Sequence, residues 1–276
     1  MVSKKLFNIF KKGSRTYFYS SLFFPKGIRG DVFRLYAFVR KADDYVDSIP
    51  QQKEKYFKFK GQYYKALSGQ KVNNEVIDSF VSLMNKRKFK KEWVDSFLKS
   101  MEMDLFEYKY NKLQDTKDYM HGSAEVIGLM MSKILGLPQK SYNEAMRLGR
   151  SMQFINFIRD IDEDVKLGRT YFPKEDLDKF GLKDLKIDTV NKNKEKYQDF
   201  INFQMRRYKR WQKEAEEGYQ YIPRRCLIPI KTASDLYDWT ARKIEKDPMQ
   251  VYETKLKPGM SYIMMKLSNN TLNIIK

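Results

Sequence analysis

The stretch AMRLGRSMQFINFIRDIDEDVKLGRTY, residues 145–171, decides how the rest of the chain is read. Phe154, Phe157, Ile158 and Ile161 recur at helical spacing on nearly every side, so the spacing predicts a central helix with no clean solvent face. Against that apolar background Asn156, Asp160 and Asp164 follow one another at i, i+4 and i+8, a ladder of oxygen-bearing side chains with Gln153 and Glu163 beside it. Carboxylates on a buried helix are unfavourable unless a cation meets them. Pro138 and Ser141 mark the start of the helix, and Gly168 is placed to end it in a left-handed turn.

A second helix shows the same anomaly. Residues 28–48 have the helical period, and Val32, Tyr36, Val39, Asp43 and Asp47 fall on one stripe, so two aspartates share the face that the apolar residues define. In each helix the acidic groups stand roughly 6 Å apart along the axis. If the helices face each other, Asp43 and Asp47 lie opposite Asn156, Asp160 and Asp164. Such a set suits Mg²⁺, which takes one or two carboxylates and completes its octahedron with water and phosphate oxygens. Arg40, Arg159 and Arg169 flank the same faces with the planar fork that grips a polyphosphate. Tyr36, Val39, Leu148, Met152, Phe18 and the small-residue helix 122–132 are expected to wall an apolar, partly aromatic cavity. That lining fits a hydrocarbon tail and can shelter a carbocation.

The remaining chemistry is narrowed by counting. Cys226 and His121 are each alone, which excludes an intrachain disulfide, a cysteine cluster and a histidine-built zinc site. Carboxylates, Arg and Lys, Tyr and a hard metal remain. The 276 residues, 42% hydrophobic and without a Pro/Gly/Ser linker, are expected to form a single domain over 1–276. No apolar run reaches membrane-spanning length, and the basic start MVSKKLFNIFKK is interrupted by Asn8 too early for a signal segment. The expectation is a cytoplasmic protein. A net charge of +19, from 54 basic and 35 acidic residues, fits a solvated surface or anionic partners such as phosphates and a membrane face. Nucleic acid is not expected, because the lysines are spread along the chain and no nucleic-acid module is present.

The fold expected is all-α. The hydroxyl-rich stretch GSRTYFYSSLFFP (13–25) is closed by Pro25, and amphipathic helices with basic outer faces follow at 52–67 and 74–86. Residues 90–110 place Trp93, Phe97, Met101, Leu105 and Tyr108 in the core and turn Asp104 inward. Residues 117–136 are helical in period, but Gly122, Ser123, Ala124 and Gly128 suggest a kink or a close neighbour. A polar loop is expected over 173–192 and helices over 193–220, 224–246 and 252–268, with prolines near their boundaries. No alternating strand pattern competes.

RKADDYVD (40–47) and QFINFIRDIDED (153–164), the latter followed by GRTYFP (168–173), resemble the two aspartate-rich signatures of the squalene/phytoene synthase family. SRTY (14–17) looks like that family's phosphate-binding element, MEMDL (101–105) is similar to a segment of phytoene synthases, and GSAEVIG (122–128) matches its small-residue kinked helix. The resemblance runs from about residue 10 to 175 in order and spacing. It implies an isoprenoid synthase fold, a multi-helix bundle around a central apolar cavity, that joins two allylic diphosphates head to head through a cyclopropylcarbinyl diphosphate.

By the same resemblance Asp43, Asp47, Asn156, Asp160 and Asp164 would hold two or three Mg²⁺ ions, with Mn²⁺ as substitute. Ser14, Arg15, Thr16, Arg40, Gln153, Arg159, Arg169 and Tyr171 would meet diphosphate, and Tyr36 would line the site. The family usually has a tyrosine facing the diphosphates where this chain has His121, which by the resemblance would bind substrate by donating a hydrogen bond in its place. The most similar activity is a microbial phytoene synthase using geranylgeranyl diphosphate. Squalene synthase, with NADPH, and dehydrosqualene synthase, both acting on farnesyl diphosphate, are the alternatives, and a non-catalytic membrane-surface or assembly protein is a remote one. Because the hydrocarbon product is insoluble, peripheral contact with an anionic membrane and hand-over to downstream carotenoid or isoprenoid enzymes are expected.

Overall fold

The computed structural model describes residues 2–106 and 109–275, apart from the side chains of Arg15 and Ile275; Tyr108 lies outside the described residues. Among the described residues every regular element is helical. Helices α1 (Lys4–Gly13) and α2 (Arg15–Ser21) form the N-terminal arm. Ser3 starts the first by accepting from the Leu6 N–H at 3.3 Å, and Ser14 starts the second by accepting from the Tyr17 N–H at 3.2 Å. The hydroxyl-rich stretch is therefore helix, and Pro25 opens α3 (Lys26–Asp47) instead of only closing what precedes it.

Helices α4 (Lys53–Leu67) and α5 (Glu75–Arg87) cover α3, and α6 (Lys91–Met103) packs on its inner side. The helix expected over 90–110 is shorter than its apolar period. It ends at Met103, where the Asp104 carbonyl accepts from Gln51 Nε2 at 2.7 Å and Arg169 Nη2 at 3.2 Å in place of a further helical turn. Helix α7 (Leu113–Met120) continues through a π-helical turn at His121–Glu125 into α8 (Val126–Leu135). The small residues there serve close approach. A Cβ on Gly122 would meet the Ser96 carbonyl oxygen of α6 at 2.2 Å, and one on Gly128 would meet the Ala145 carbonyl oxygen at 2.2 Å.

Ala145 belongs to α9 (Tyr142–Arg159), the central helix, which packs on α7 and α8. It stops one residue before Asp160, which sits at φ −100°, ψ 15°, and α10 (Ile161–Lys166) resumes beyond it. The ladder survives this break, because the Asp160 N–H still donates to the Asn156 carbonyl and the Asp164 N–H to that of Asp160, both at 2.8 Å. Gly168 then takes the left-handed φ of +74° expected of it.

The segment read as a polar loop contains two short helices, α11 (Lys174–Lys179) and α12 (Ile187–Lys192), anchored by buried Leu177, Leu182, Leu185 and Val190. Helices α13 (Lys194–Glu216) and α14 (Arg224–Lys246) pack against α9. The last expected helix divides into α15 (Gln250–Glu253) and α16 (Met260–Ile275), the latter lying on α14 and α2.

Two aromatic-rich cores result, one centred on the Phe38–Phe80 stack at 3.8 Å and one on the Phe157–Tyr171 stack at 4.3 Å; Tyr17 touches both. Between them the inner helices stay incompletely covered. Tyr36 and Val39 of α3, Ile127 and Met131 of α8, and Leu148 and Met152 of α9 are all half-buried. Phe18, expected on the same wall, is instead core, packed among Phe7, Phe10 and Phe33.

Gly128→Ala is expected to lower the urea unfolding free energy by about 1–3 kcal/mol, because its methyl would press on helix backbone that cannot step aside. That loss should outweigh the roughly 1 kcal/mol of helix propensity that alanine adds.

Candidate active site

The last two turns of α3 carry the first acidic set. Arg40 lies along them, its Nε 2.7 Å from Asp44 Oδ1 and its Nη1 3.6 Å from Asp43 Oδ2. Burial, and then the charge of Asp47 one turn on, push the Asp43 carboxyl up to about 8. The second set begins at the α9–α10 break, where Arg159 clamps its neighbour Asp160 through Nε to Oδ1 at 2.8 Å and Nη2 to Oδ2 at 2.5 Å. Burial, followed by the Asp160 charge, raises the Asp164 carboxyl well above the usual carboxylate range, and Asp47 and Asp104 add to that rise from across the cleft. The two acidic helices do face each other.

Arg169, just past Gly168, holds the two sides together. Its Nη1 is 2.7 Å from Asp47 Oδ1, and its Nη2 donates to the carbonyl oxygens of Val46 and Asp104. Asp104 itself is buried and accepts from the Tyr119 hydroxyl at 2.6 Å and the Tyr171 hydroxyl at 2.8 Å. Burial pushes its carboxyl up to about 6, against the opposing pull of Arg169 and the two phenols. Asp43, Asp44, Asp47, Asp104, Asp160 and Asp164 thus outnumber Arg40, Arg159 and Arg169 by six to three.

Two buried polar atoms at this place have no hydrogen-bond partner, Asn156 Oδ1 and Arg169 Nε. An orphaned acceptor is suited to a cation and an orphaned donor to an anion. With the surplus of carboxylates, the donor set fits a divalent ion paired with a phosphate. Among the described residues no three His, Cys, Asp or Glu side chains converge closely enough to hold an ion unaided. An ion here would complete its shell with substrate oxygens and water, as Mg²⁺ commonly does.

Beyond the carboxylates the site turns aromatic. The Tyr17 hydroxyl lies 2.7 Å from that of Tyr237 on α14 and 3.7 Å from the Met152 sulfur. Tyr36 stacks on Phe10 at 3.8 Å. Burial holds the Tyr17 and Tyr36 phenols well above their ordinary range, so both stay neutral hydrogen-bond donors.

Not every expected residue joins this group. His121 does not face the acidic cleft. It is about half exposed, at 47%, and pairs with Glu125 at 3.0 Å, which holds its imidazole above the usual range, and Glu125 is shared with Arg150. Residues two apart on a helix point in nearly opposite directions, and the tyrosine that reaches the site is Tyr119. Tyr171 reaches it through Asp104. Ser14 caps α2, Thr16 follows it there, and Gln153 lies 3.5 Å from Asn156 Nδ2. The Arg15 side chain lies outside the described residues.

Sequence reading missed Tyr17 and Tyr237 as a pair, gave Asp104 no partner, and overlooked Lys255. The loop after α15 brings the Lys255 ammonium onto Glu163 and to 4.0 Å from Asp160. Burial, and then Lys255, push the neighbouring Lys257 ammonium below its ordinary range. Only Asp104 carried a signal, its inward place on the period of α6. Tyr17 stands within the SRTY stretch, but nothing local marks its pairing with Tyr237 or the approach of Lys255.

A family model described as squalene/phytoene synthase matches residues 10–261. The chain is 26% identical over 259 residues to a 15-cis-phytoene synthase of Synechocystis sp., covering 88% of this chain and 76% of that one. To the 15-cis-phytoene synthase of Pantoea ananas it is 27% identical over 266 residues, with 88% and 82% covered. Among solved structures, a dehydrosqualene synthase superposes with a TM-score of 0.88 at 21% identity, over 98% of this chain and 95% of that one. A squalene synthase from Alicyclobacillus acidocaldarius gives 0.73 at 21% identity, over 91% and 97%. These two likenesses establish the fold.

Because the Asp43 carboxyl is raised in the folded state, its contribution to stability is present in full below the ordinary carboxylate pKa and is lost as pH rises through about 8. Asp43→Asn is therefore expected to melt higher than the parent protein in metal-free buffer at pH 8, by roughly 2–4 °C for about 1 kcal/mol, with the gap closing toward pH 5. Calorimetry at the two pH values checks both the sign and the closure.

Proposed function

We propose, from the premise that this chain belongs to the squalene/phytoene synthase family and is a prenyltransferase, that it condenses two geranylgeranyl diphosphates head to head to phytoene. The observation that carries the reading is the opposed pair of carboxylate helices, with an orphaned acceptor and an orphaned donor between them, opening onto half-buried apolar walls. The similarity to 15-cis-phytoene synthases over most of the chain supports the C20 substrate. The reading treats residues 1–276 as a single isoprenoid synthase domain.

Asp43 and Asp47 on one side, and Asn156, Asp160 and Asp164 on the other, would hold Mg²⁺ or Mn²⁺, which supplies Lewis-acid neutralisation of the departing diphosphate. Arg40, Arg159 and Arg169, now engaged with carboxylates, exchange those partners for diphosphate oxygens. Loss of one diphosphate leaves an allylic cation, which the C2–C3 double bond of the second substrate captures with loss of a proton to give a cyclopropylcarbinyl diphosphate. A second ionisation, rearrangement and proton loss yield the linear triene core. The aromatic rings of Tyr17, Tyr36 and Tyr237 would shelter positive charge, and the half-buried Val39, Leu148 and Met152 would keep water from quenching it. Proton loss ends the sequence without NADPH. The product is insoluble in water, so the reading includes peripheral contact with an anionic membrane on the cytoplasmic side and transfer to a downstream carotenoid or isoprenoid enzyme. No helix among the described residues is long and apolar enough to cross a membrane.

Purified protein given C15 and C20 allylic diphosphates, with and without Mg²⁺ and NADPH, is expected to release phytoene from the C20 substrate, dependent on Mg²⁺ and indifferent to NADPH. Squalene formed only with NADPH, or dehydrosqualene from the C15 substrate in preference, would overturn the product assignment. Asp160→Asn is expected to lower turnover by about 10²–10³-fold, the effect of roughly 3–4 kcal/mol of lost transition-state stabilisation.

A further inference from the structure

We infer that the outward face of α16 is a docking surface for an anionic lipid bilayer. Its inner face is fixed by Ile263 and Leu267, which pack with Ile228 and Leu236 of α14, and by Asn270, whose Nδ2 donates to Thr232 at 3.0 Å and Asp235 at 2.9 Å. That rotation leaves Met260, Met264, Met265 and Leu272 exposed by 39, 49, 45 and 57%. The other exposed positions of the helix, Ser261, Ser268, Asn269 and Asn273, are uncharged. Lys266 is the only charged residue from Met260 to Ile275, and it turns toward Asp235 at 4.0 Å and the Tyr262 ring at 5.8 Å. In a chain of which 32% is charged, a solvent-facing helix side without a charge is a marked departure.

The rim of this face has the chemistry of a headgroup boundary. Trp239 and Tyr262 lie 5.9 Å apart, Lys243 Nζ sits 5.6 Å from the Trp239 ring centre, and Arg242 Nη2 is 3.5 Å from the Tyr262 hydroxyl. Aromatic rings with basic side chains beside an apolar strip are how helices lie in a bilayer interface. The net charge of +19 decides between a bilayer and a second copy of the chain, because it repels a like molecule and attracts anionic lipid. The functional part of the inference rests on the synthase reading. The two helices beneath α16 are α2 and α14, which carry Tyr17 and Tyr237, so the docked face lies one helix layer from the apolar walls and a hydrocarbon product has a short path to lipid.

The test is flotation of the full chain with phosphatidylcholine vesicles lacking or containing phosphatidylglycerol, without substrate, so that its outcome does not depend on which hydrocarbon is made. The parent protein should float with the anionic vesicles. Met264→Glu with Met265→Glu should weaken partitioning by at least about tenfold with the helical circular dichroism and detergent-assayed turnover retained. Arg242→Ser with Lys243→Ser should weaken it on anionic vesicles and remove most of its salt dependence. Unchanged flotation of the double glutamate variant, absence of parent binding, or a parent dimer by light scattering that this variant dissociates would each overturn the inference.

Discussion

Six carboxylates and three guanidiniums meet where the end of α3 faces the α9–α10 break, and the nearby Lys255, shared between Glu163 and Asp160, leaves the cluster acidic. Each arginine already serves a carboxylate, Asp104 relies on two phenols, and the surplus appears as carboxyl groups whose ionisation is resisted by burial and by one another. Such a cluster is tolerated because it is only partly enclosed and because Arg169 ties both sides to backbone carbonyls as well as to Asp47. A cation with an attached polyanion would relieve both imbalances together, offering charge to Asn156 Oδ1 and the carboxylates and an acceptor to Arg169 Nε. Binding energy and chemistry would then come from the same unsatisfied groups.

The rest of the bundle is arranged to hold those helices at the right separation. Helix α9 can sit at the centre because Gly122 and Gly128 let α6, the α7–α8 segment and α9 come within backbone contact, which frees the opposite flank of α9 for the acidic ladder. The π-helical turn at His121–Glu125 follows α7, whose Tyr119 hydroxyl donates to Asp104. Away from the cleft two buried carboxylates carry several partners each: Asp31 pairs with Arg34, Lys86 and Arg87, and Asp176 with Arg207 and Gln204. The contrast separates charge that holds the fold from charge kept available.

Much of this was legible in the chain because it follows from helical period alone. The all-α architecture, the two acidic stripes and the tight approach at the small residues all depend on spacing within one helix. Where the reading erred, the determining contact was distant in sequence. Helix α6 stops at Met103 because Gln51 and Arg169 claim the Asp104 carbonyl. Tyr119, and not the residue at 121, is the side chain that reaches Asp104, a contact made across 15 residues. Phe18 belongs to the core and not the wall because α1 lies over it. Lys255 meets Glu163 across 92 residues, and Tyr17 meets Tyr237 across 220, separations at which no local pattern is informative.

The most direct test of the opposed-helix site is anomalous diffraction from crystals grown with Mn²⁺ and an unreactive thiolo analogue of geranylgeranyl diphosphate. Manganese is expected between Asp43 and Asp47 on one side and Asn156, Asp160 and Asp164 on the other, bridged by the analogue's diphosphate, with Arg159 and Arg169 turned from carboxylates to phosphate oxygens. Manganese on one acidic helix only, or a diphosphate bound away from both, would contradict the account.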